Sequence, residues 1–334
     1  MNAAHLLAAL EEGSRQALSD RGHRKHLGAS LMGRPCARQL YYKHRWAKDE
    51  KFSGRMLRLF NRGHLEEARF KRWLEAAGAT VYELNPATGT QYRISFAGGH
   101  GGGSTDGIAV NVPSLPPGEP CAVEQKTKNE KQFGKLAGTL ESKWPELVRK
   151  FNPNKNGLQK SNPDHYVQLQ LYMDGMGCRY GLYMAVNKDT DELYVEFVHL
   201  DPALVHRYKM RAQGIIFNKE APPRVSSTPG AEECRFCPMQ GICHLNEVPE
   251  VNCRTCWHAT PVEGGTWVCE RGNQKCIDDS PEGGCAEHLF NPYMLNVTQI
   301  VRGDLRENWI ELVRRNGTTV VTGPNHVPSH ELTL

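Results

Sequence analysis

The chain has 334 residues, of which 39% are hydrophobic and 23% charged, with a formal net charge of +4. That length allows about two domains and a sizeable core. No apolar run reaches the roughly eighteen residues of a membrane-spanning helix, so a membrane role by that route is excluded.

The charge is unevenly spread. Residues 15–72 hold sixteen Lys/Arg against five Asp/Glu, and residues 126–160 hold nine against three. Residues 231–288 reverse the balance, four basic against ten acidic. Either basic run alone reads equally well as a solvated helix face or as a seat for a polyanion. The start, Met1–Leu10, is weakly amphipathic, and Glu11 and Glu12 interrupt any signal-peptide core. The expectation is a cytoplasmic protein, in which eleven Cys argue for metal ligands rather than disulfides.

In chain order, residues 1–30 read as a polar helical extension. Cys36 follows Pro35 and opens a helix; alone it is a core thiol. A helix spans residues 55–77 with Gly78 as its stop, and Leu57, Phe60, His64, Glu67 and Ala68 fall on one side. On such a stripe a lone His is ordinarily a core residue, yet Gly63 and Glu67 leave room for a ligand role.

Residues 80–94 alternate like a strand. The run 97–103, five glycines in seven residues, lacks the Gly-Lys-Ser/Thr of a phosphate loop. It reads as a tight turn or a loop that lets backbone approach DNA. Residues 104–112 form a second strand and 121–128 a third. On the third, Glu124 and Lys126 are two apart and share a face. A hairpin could bring Asp106 beside them. Two carboxylates suit Mg²⁺ or Mn²⁺, and a neighbouring Lys can orient water and offset charge on a phosphate. The bland alternative is a surface hairpin with an ordinary ion pair.

Residues 128–160 are basic and Asn-rich, a DNA clamp or an exposed insertion. A helix over 164–176 puts Gln168 and Tyr172 on one face. Two strands over 182–200 and a helix over 202–218 follow. This succession predicts an α/β fold, a central mixed β-sheet flanked by helices.

Cys234, Cys237 and Cys243 are spaced C-x2-C-x5-C. A fourth ligand must come from Cys36 or, locally, from His244; zinc and an iron–sulfur cluster fit equally. A second group follows: Cys253, Cys256, Cys269, Cys276 and Cys285, with His258 and His288, and Gly264-Gly265 placed as in a zinc-ribbon hairpin. The preferred zinc set is Cys253, Cys256, Cys269 and Cys285, with His258, Cys276 or His288 as alternates. The tail contributes strands at 309–313 and 318–321.

The ordered series Cys36, Gly63-His64, Asp106, Glu124-x-Lys126, Gln168-x3-Tyr172 and C-x2-C-x5-C resembles the RecB-like iron–sulfur branch of the PD-(D/E)xK nucleases, with its CRISPR-associated members and phage exonucleases. It covers about residues 30–245. The resemblance implies a restriction-endonuclease-like core closed by a 4Fe–4S cluster on Cys36, Cys234, Cys237 and Cys243. It implies a catalytic Mg²⁺ or Mn²⁺ held by His64, Asp106, Glu124 and the Gln125 carbonyl. Lys126 would position the attacking water, and Gln168 and Tyr172 would support the site or hold the DNA backbone.

The domain expectation is an extension over 1–30, a nuclease domain over 31–247, a zinc-ribbon-like module over 248–290 and a tail over 291–334. The implied function is a metal-dependent DNA exonuclease, phage-encoded and working in host cytoplasm, with DNA and phage recombination or replication proteins as partners. The alternatives are an endonuclease or spacer-processing nuclease, and an inactive metal-containing DNA-binding scaffold.

Overall fold

The computed structural model describes residues 3–19, 22–142, 146–272 and 284–334. Cys276 lies outside the described residues.

Five strands build the central sheet: β1 (Thr80–Tyr82), β4 (Gly107–Val110), β5 (Cys121–Lys128), β6 (Tyr180–Asn187) and β7 (Leu193–His199), in the order β7-β6-β5-β4-β1. β5 and β6 run parallel, with Glu124 opposite Tyr183, and every other neighbouring pair is antiparallel. The sheet is therefore mixed, as expected for the α/β class.

The reason lies in β5, which is apolar on both faces over its first half. Cys121 and Val123 pack under Phe70 and Leu74 of the helix α3 (Gly54–Ala76). Ala122 packs on the other side with Leu169 and Met173 of the helix α5 (Pro163–Met176) and Phe133 and Leu136 of the helix α4 (Glu130–Ala137). A strand covered on both faces is the habitual centre of a parallel pairing. Ser53 caps α3 by accepting the Met56 N–H at 3.3 Å, and Gly177, left-handed at φ 68°, ends α5.

The glycine-rich run is a tight turn over its first part, one of the two readings, and a strand over the rest. Residues 97–100 turn, and Gly101–Ser104 then form β3, antiparallel to β2 (Arg93–Phe96) and parallel to Leu27–Gly28. The glycines are there for contact. A Cβ at Gly103 would stand 2.9 Å from Tyr172 Cε1 and from its hydroxyl, and one at Gly101 would stand 2.2 Å from the Phe96 ring. The strand foreseen over 104–112 is also broken, at Thr105-Asp106, where the chain leaves one sheet and enters the other. The local mark of that break is the Asp106-Gly107 dipeptide, a turn signal inside the expected strand.

The C-terminal segments pack against the rest. A hairpin of β8 (Ala259–Val262) and β9 (Thr266–Cys269) turns through Gly264 and Gly265, as foreseen. Its tip seats on the glycine turn: Gly265 N–H donates to Gly98 O at 2.8 Å, and His100 Nε2 lies 2.8 Å from Val262 O. Leu289 and Phe290 share one core with Ile310, Leu312, Val320 and Leu332, so residues on both sides of position 290 pack together. The tail forms three strands, Gln299–Asp304, Trp309–Val313 and Thr319–Thr322, one more than expected. The missed strand is mostly exposed and carries a bulge between Ile300 and Arg302, which blurs its alternation. No described helix is long and apolar enough to cross a membrane.

Candidate active site

β4 begins at Gly107, opposite Val123, while β5 continues to Lys128. Beyond Val123 the β4 side of β5 has lost its partner strand. A backbone N–H stranded there must find an acceptor. Gln125 N–H donates to Asp106 Oδ2 at 2.8 Å. The junction itself is pinned by buried Thr105, whose hydroxyl donates to Val123 O at 2.9 Å. The break between the two sheets is therefore what carries Asp106 to β5.

Glu124 and Lys126 point to the same side of β5 and form an ion pair, and Lys126 Nζ also donates to Gln125 O at 3.0 Å. Glu124 is fully buried, and its Oε2 has no hydrogen-bond partner among the described residues. Burial pushes its carboxyl up to about 7 against the pull of Lys126, with Asp106 pushing the same way as burial. Lys126 is 30% exposed at its side chain. Burial works against its charge, but Glu124 and Asp106 outweigh that and raise its pKa. The two partners differ in where the cost falls: Glu124 carries it, because it alone is cut off from water.

His64 is not a core residue. Its side chain is 75% exposed, and Nδ1 lies 3.1 Å from Glu67 Oε1. Burial and then Asp106 raise the Glu67 carboxyl, with His64 opposing. His64, Glu67, Asp106, Gln125 and Lys126 line one open cleft of about 1430 Å³.

Gln168 and Tyr172 are buried behind it. Gln168 Nε2 donates to the Tyr172 hydroxyl at 3.1 Å, and Gln168 Oε1 is unpartnered among the described residues. Burial, then Glu124, raises the Tyr172 phenol, so it stays a neutral donor.

Two ionisable neighbours of this site, Lys128 and His165, lie outside the motif. Lys128 continues the face of Glu124 and Lys126; it is buried, and Nζ donates to Asn162 Oδ1 at 2.7 Å. Burial brings it down to about 8. His165 Nδ1 lies 2.9 Å from the Tyr183 hydroxyl, and burial followed by Lys126 and Lys128 pushes the ring down to about 2. Only the period-two spacing of Glu124, Lys126 and Lys128 was open to sequence reasoning.

Among the described residues two groups of cysteines lie near one another. Cys36, Cys234, Cys237, Cys243 and His244 line one small pocket with Tyr42 and Met239. Cys36 caps the helix α2 (Ala37–His44), its sulfur accepting the Gln39 N–H at 3.4 Å. Arg211 of the helix α6 (Pro202–Phe217) holds the segment before it, donating to the carbonyls of Met32, Arg34 and Pro35. Burial raises the Cys234 and Cys237 thiols, and the neighbouring thiols of the set add to it. Four soft sulfur donors around one pocket suit zinc or iron–sulfur chemistry.

In the hairpin module, burial raises Cys256 to about 11, with Cys269 and Cys285 adding to it. Cys253 opens a short 3-10 turn immediately before Cys256. The two histidine alternates each have a partner at Nε2. His258 Nε2 lies 2.7 Å from Asn308 Oδ1, and His288 Nε2 lies 3.2 Å from Thr255 Oγ1 and 3.1 Å from Asn252 O. Among the described residues no three His, Cys, Asp or Glu side chains converge on a point where an ion would sit. Each set is a group of neighbours rather than a closed cage.

No family model and no curated protein matches the sequence. Among solved structures, SSO0001 is similar at 16% identity and a TM-score of 0.38, over 72% of this chain and 96% of that one. The alkaline exonuclease LHK-Exo in complex with dAMP is similar at 15% and 0.36, over 57% and 86%. A second LHK-Exo structure, from Laribacter hongkongensis, is similar at 15% and 0.34, over 61% and 90%. At these TM-scores the likenesses carry neither fold nor activity over to this chain.

Proposed function

We propose that the chain is a Mg²⁺- or Mn²⁺-dependent DNA exonuclease built on a PD-(D/E)xK core, with a 4Fe–4S cluster on Cys36, Cys234, Cys237 and Cys243. One observation carries the reading. A fully buried carboxylate with an unpartnered oxygen, Glu124, sits against Lys126 while Asp106 is delivered to the next residue by the break between two sheets.

Leaving a buried carboxylate oxygen unpaired is costly unless a cation completes it. Asp106 and Glu124, with the Gln125 carbonyl and His64, are the donors that would hold that cation. Their oxygen-rich chemistry fits Mg²⁺ or Mn²⁺. The bound ion would supply Lewis acidity and an activated water for hydrolysis of the phosphodiester. Lys126 brings a fixed positive charge and, beyond the N–H groups given to Glu124 and Gln125 O, one further donor to orient that water and meet charge on the phosphate. Tyr172, kept protonated and oriented by Gln168, is a second donor behind Glu124. Glu67 shares the cleft with His64 and is a third acidic group near the metal site.

The cluster would act as a staple, tying residue 36 to the 234–243 segment. Cys253, Cys256, Cys269 and Cys285 would take zinc. DNA is the expected substrate and phage recombination or replication proteins the expected partners.

Cleavage of linear DNA with Mg²⁺ or Mn²⁺ is the test. Glu124→Ala and Lys126→Ala should each abolish it and leave a folded, brown protein; retained cleavage in both refutes the assignment. Covalently closed circles separate the readings, because an exonuclease leaves them intact and an endonuclease opens them. DNA binding with no cleavage under either metal would leave the inactive scaffold.

A further inference from the structure

The cleft has a feature the proposed chemistry does not use. Phe52 and Phe60 are each 42% exposed and line the same cleft as His64, Asp106 and Lys126. Their rings meet edge to face, with centroids 5.1 Å apart. Two large apolar rings left open to solvent beside each other cost free energy without adding to the core.

Their placement is specific. Phe60, His64 and Glu67 are spaced i, i+4, i+7 on α3 and so lie along one face. Phe60 is one helical turn, about 6 Å of rise, from His64. The opposing charge is in place as well: Arg24, Lys51 and Lys188 line the cleft with them. Lys43 and Lys48, also in the lining, are already paired with Glu50 and Glu247. Rings and cations in one cleft are the requirements of an unpaired polynucleotide, whose bases stack and whose phosphates seek charge. In an intact duplex the base faces are covered by their neighbours and cannot reach such rings.

We infer that Phe52 and Phe60 form a stacking seat for an unpaired base of the substrate strand, one helical turn from the metal site. The seat rests on the reading of this cleft as a nuclease site and adds which form of DNA enters it. A duplex end must open to place a base there.

The experiment measures binding by the full chain without added divalent cation, so that nothing is cut. Labelled single-stranded deoxyoligonucleotide and blunt duplex of the same sequence are compared by anisotropy. Phe52→Ala/Phe60→Ala should weaken single-strand binding by about tenfold or more and leave duplex binding unchanged. Phe60→Trp should keep the affinity and lose indole fluorescence as the oligonucleotide is added, a signal that a merely structural ring would not give. Equal single-strand affinity in the wild type and the double variant, at equal melting temperature, overturns the seat. So does an equal loss on both DNA forms, or a wild type that does not bind the single strand. Absence of cleavage when Mg²⁺ or Mn²⁺ is added would refute the nuclease reading while leaving the stacking result standing.

Discussion

Glu124→Gln should stabilise the metal-free protein at alkaline pH while destroying cleavage. The carboxyl is fully buried, one oxygen is unpartnered, and burial moves its pKa from 4.5 to about 7. A carboxyl whose folded-state pKa is raised holds its proton more tightly when folded. The contribution of this one group to stability is therefore greatest below pH 4.5, falls as pH climbs from there through about 7, and is level above. A shift of that size corresponds to about 3 kcal/mol at most. Gln keeps the shape and removes the buried charge, and the pull of Lys126 is already contained in that shift, so it is not subtracted again. The net expectation is a gain of about 1–3 kcal/mol at pH 8 and little change at pH 5. Urea denaturation of both proteins at the two pH values, in buffer free of divalent cations, measures it. Adding Mg²⁺ or Mn²⁺ should then raise the stability of the wild type and not of the variant. A Glu124→Gln protein less stable than wild type at pH 8 would show that burial of this carboxylate is not the cost argued above.

Gly103→Ala places a methyl 2.9 Å from two Tyr172 atoms and should cost about 1–3 kcal/mol. It should also lower cleavage by displacing Tyr172 from Gln168, and a variant of wild-type stability and rate would refute the contact. Thr105→Val removes the hydroxyl that ties the sheet junction to Val123, at a cost of about 1–3 kcal/mol. Cleavage should fall further than stability alone explains, because Asp106 is the next residue; a melting curve beside a rate at saturating metal checks this. Cys36→Ala should release iron and bleach the protein while zinc stays bound. Iron retained at wild-type content by elemental analysis would remove Cys36 from the cluster.

The local pieces were legible in the order of the residues. Alternation in Cys121–Lys128 placed Glu124 and Lys126 on one face, helical spacing paired Gln168 with Tyr172, and Gly264-Gly265 marked the hairpin turn. These are short-range consequences of periods two and 3.6 and of left-handed backbone, so they are written within a few residues. The tertiary structure decided the rest. It broke the expected 104–112 strand at Thr105-Asp106, because that point passes from one sheet to the next and only the finished sheets set where pairing ends. It made the second part of the glycine run, Gly101–Ser104, a strand pressed against Tyr172, since a missing Cβ in the sequence does not say what comes close. His64 was moved from core to cleft, because an α3 face is apolar or exposed according to what packs on it. The pinned junction explains how Asp106 reaches β5: Thr105 bonds to Val123, Asp106 accepts from Gln125, and neither partner is within reach along the chain.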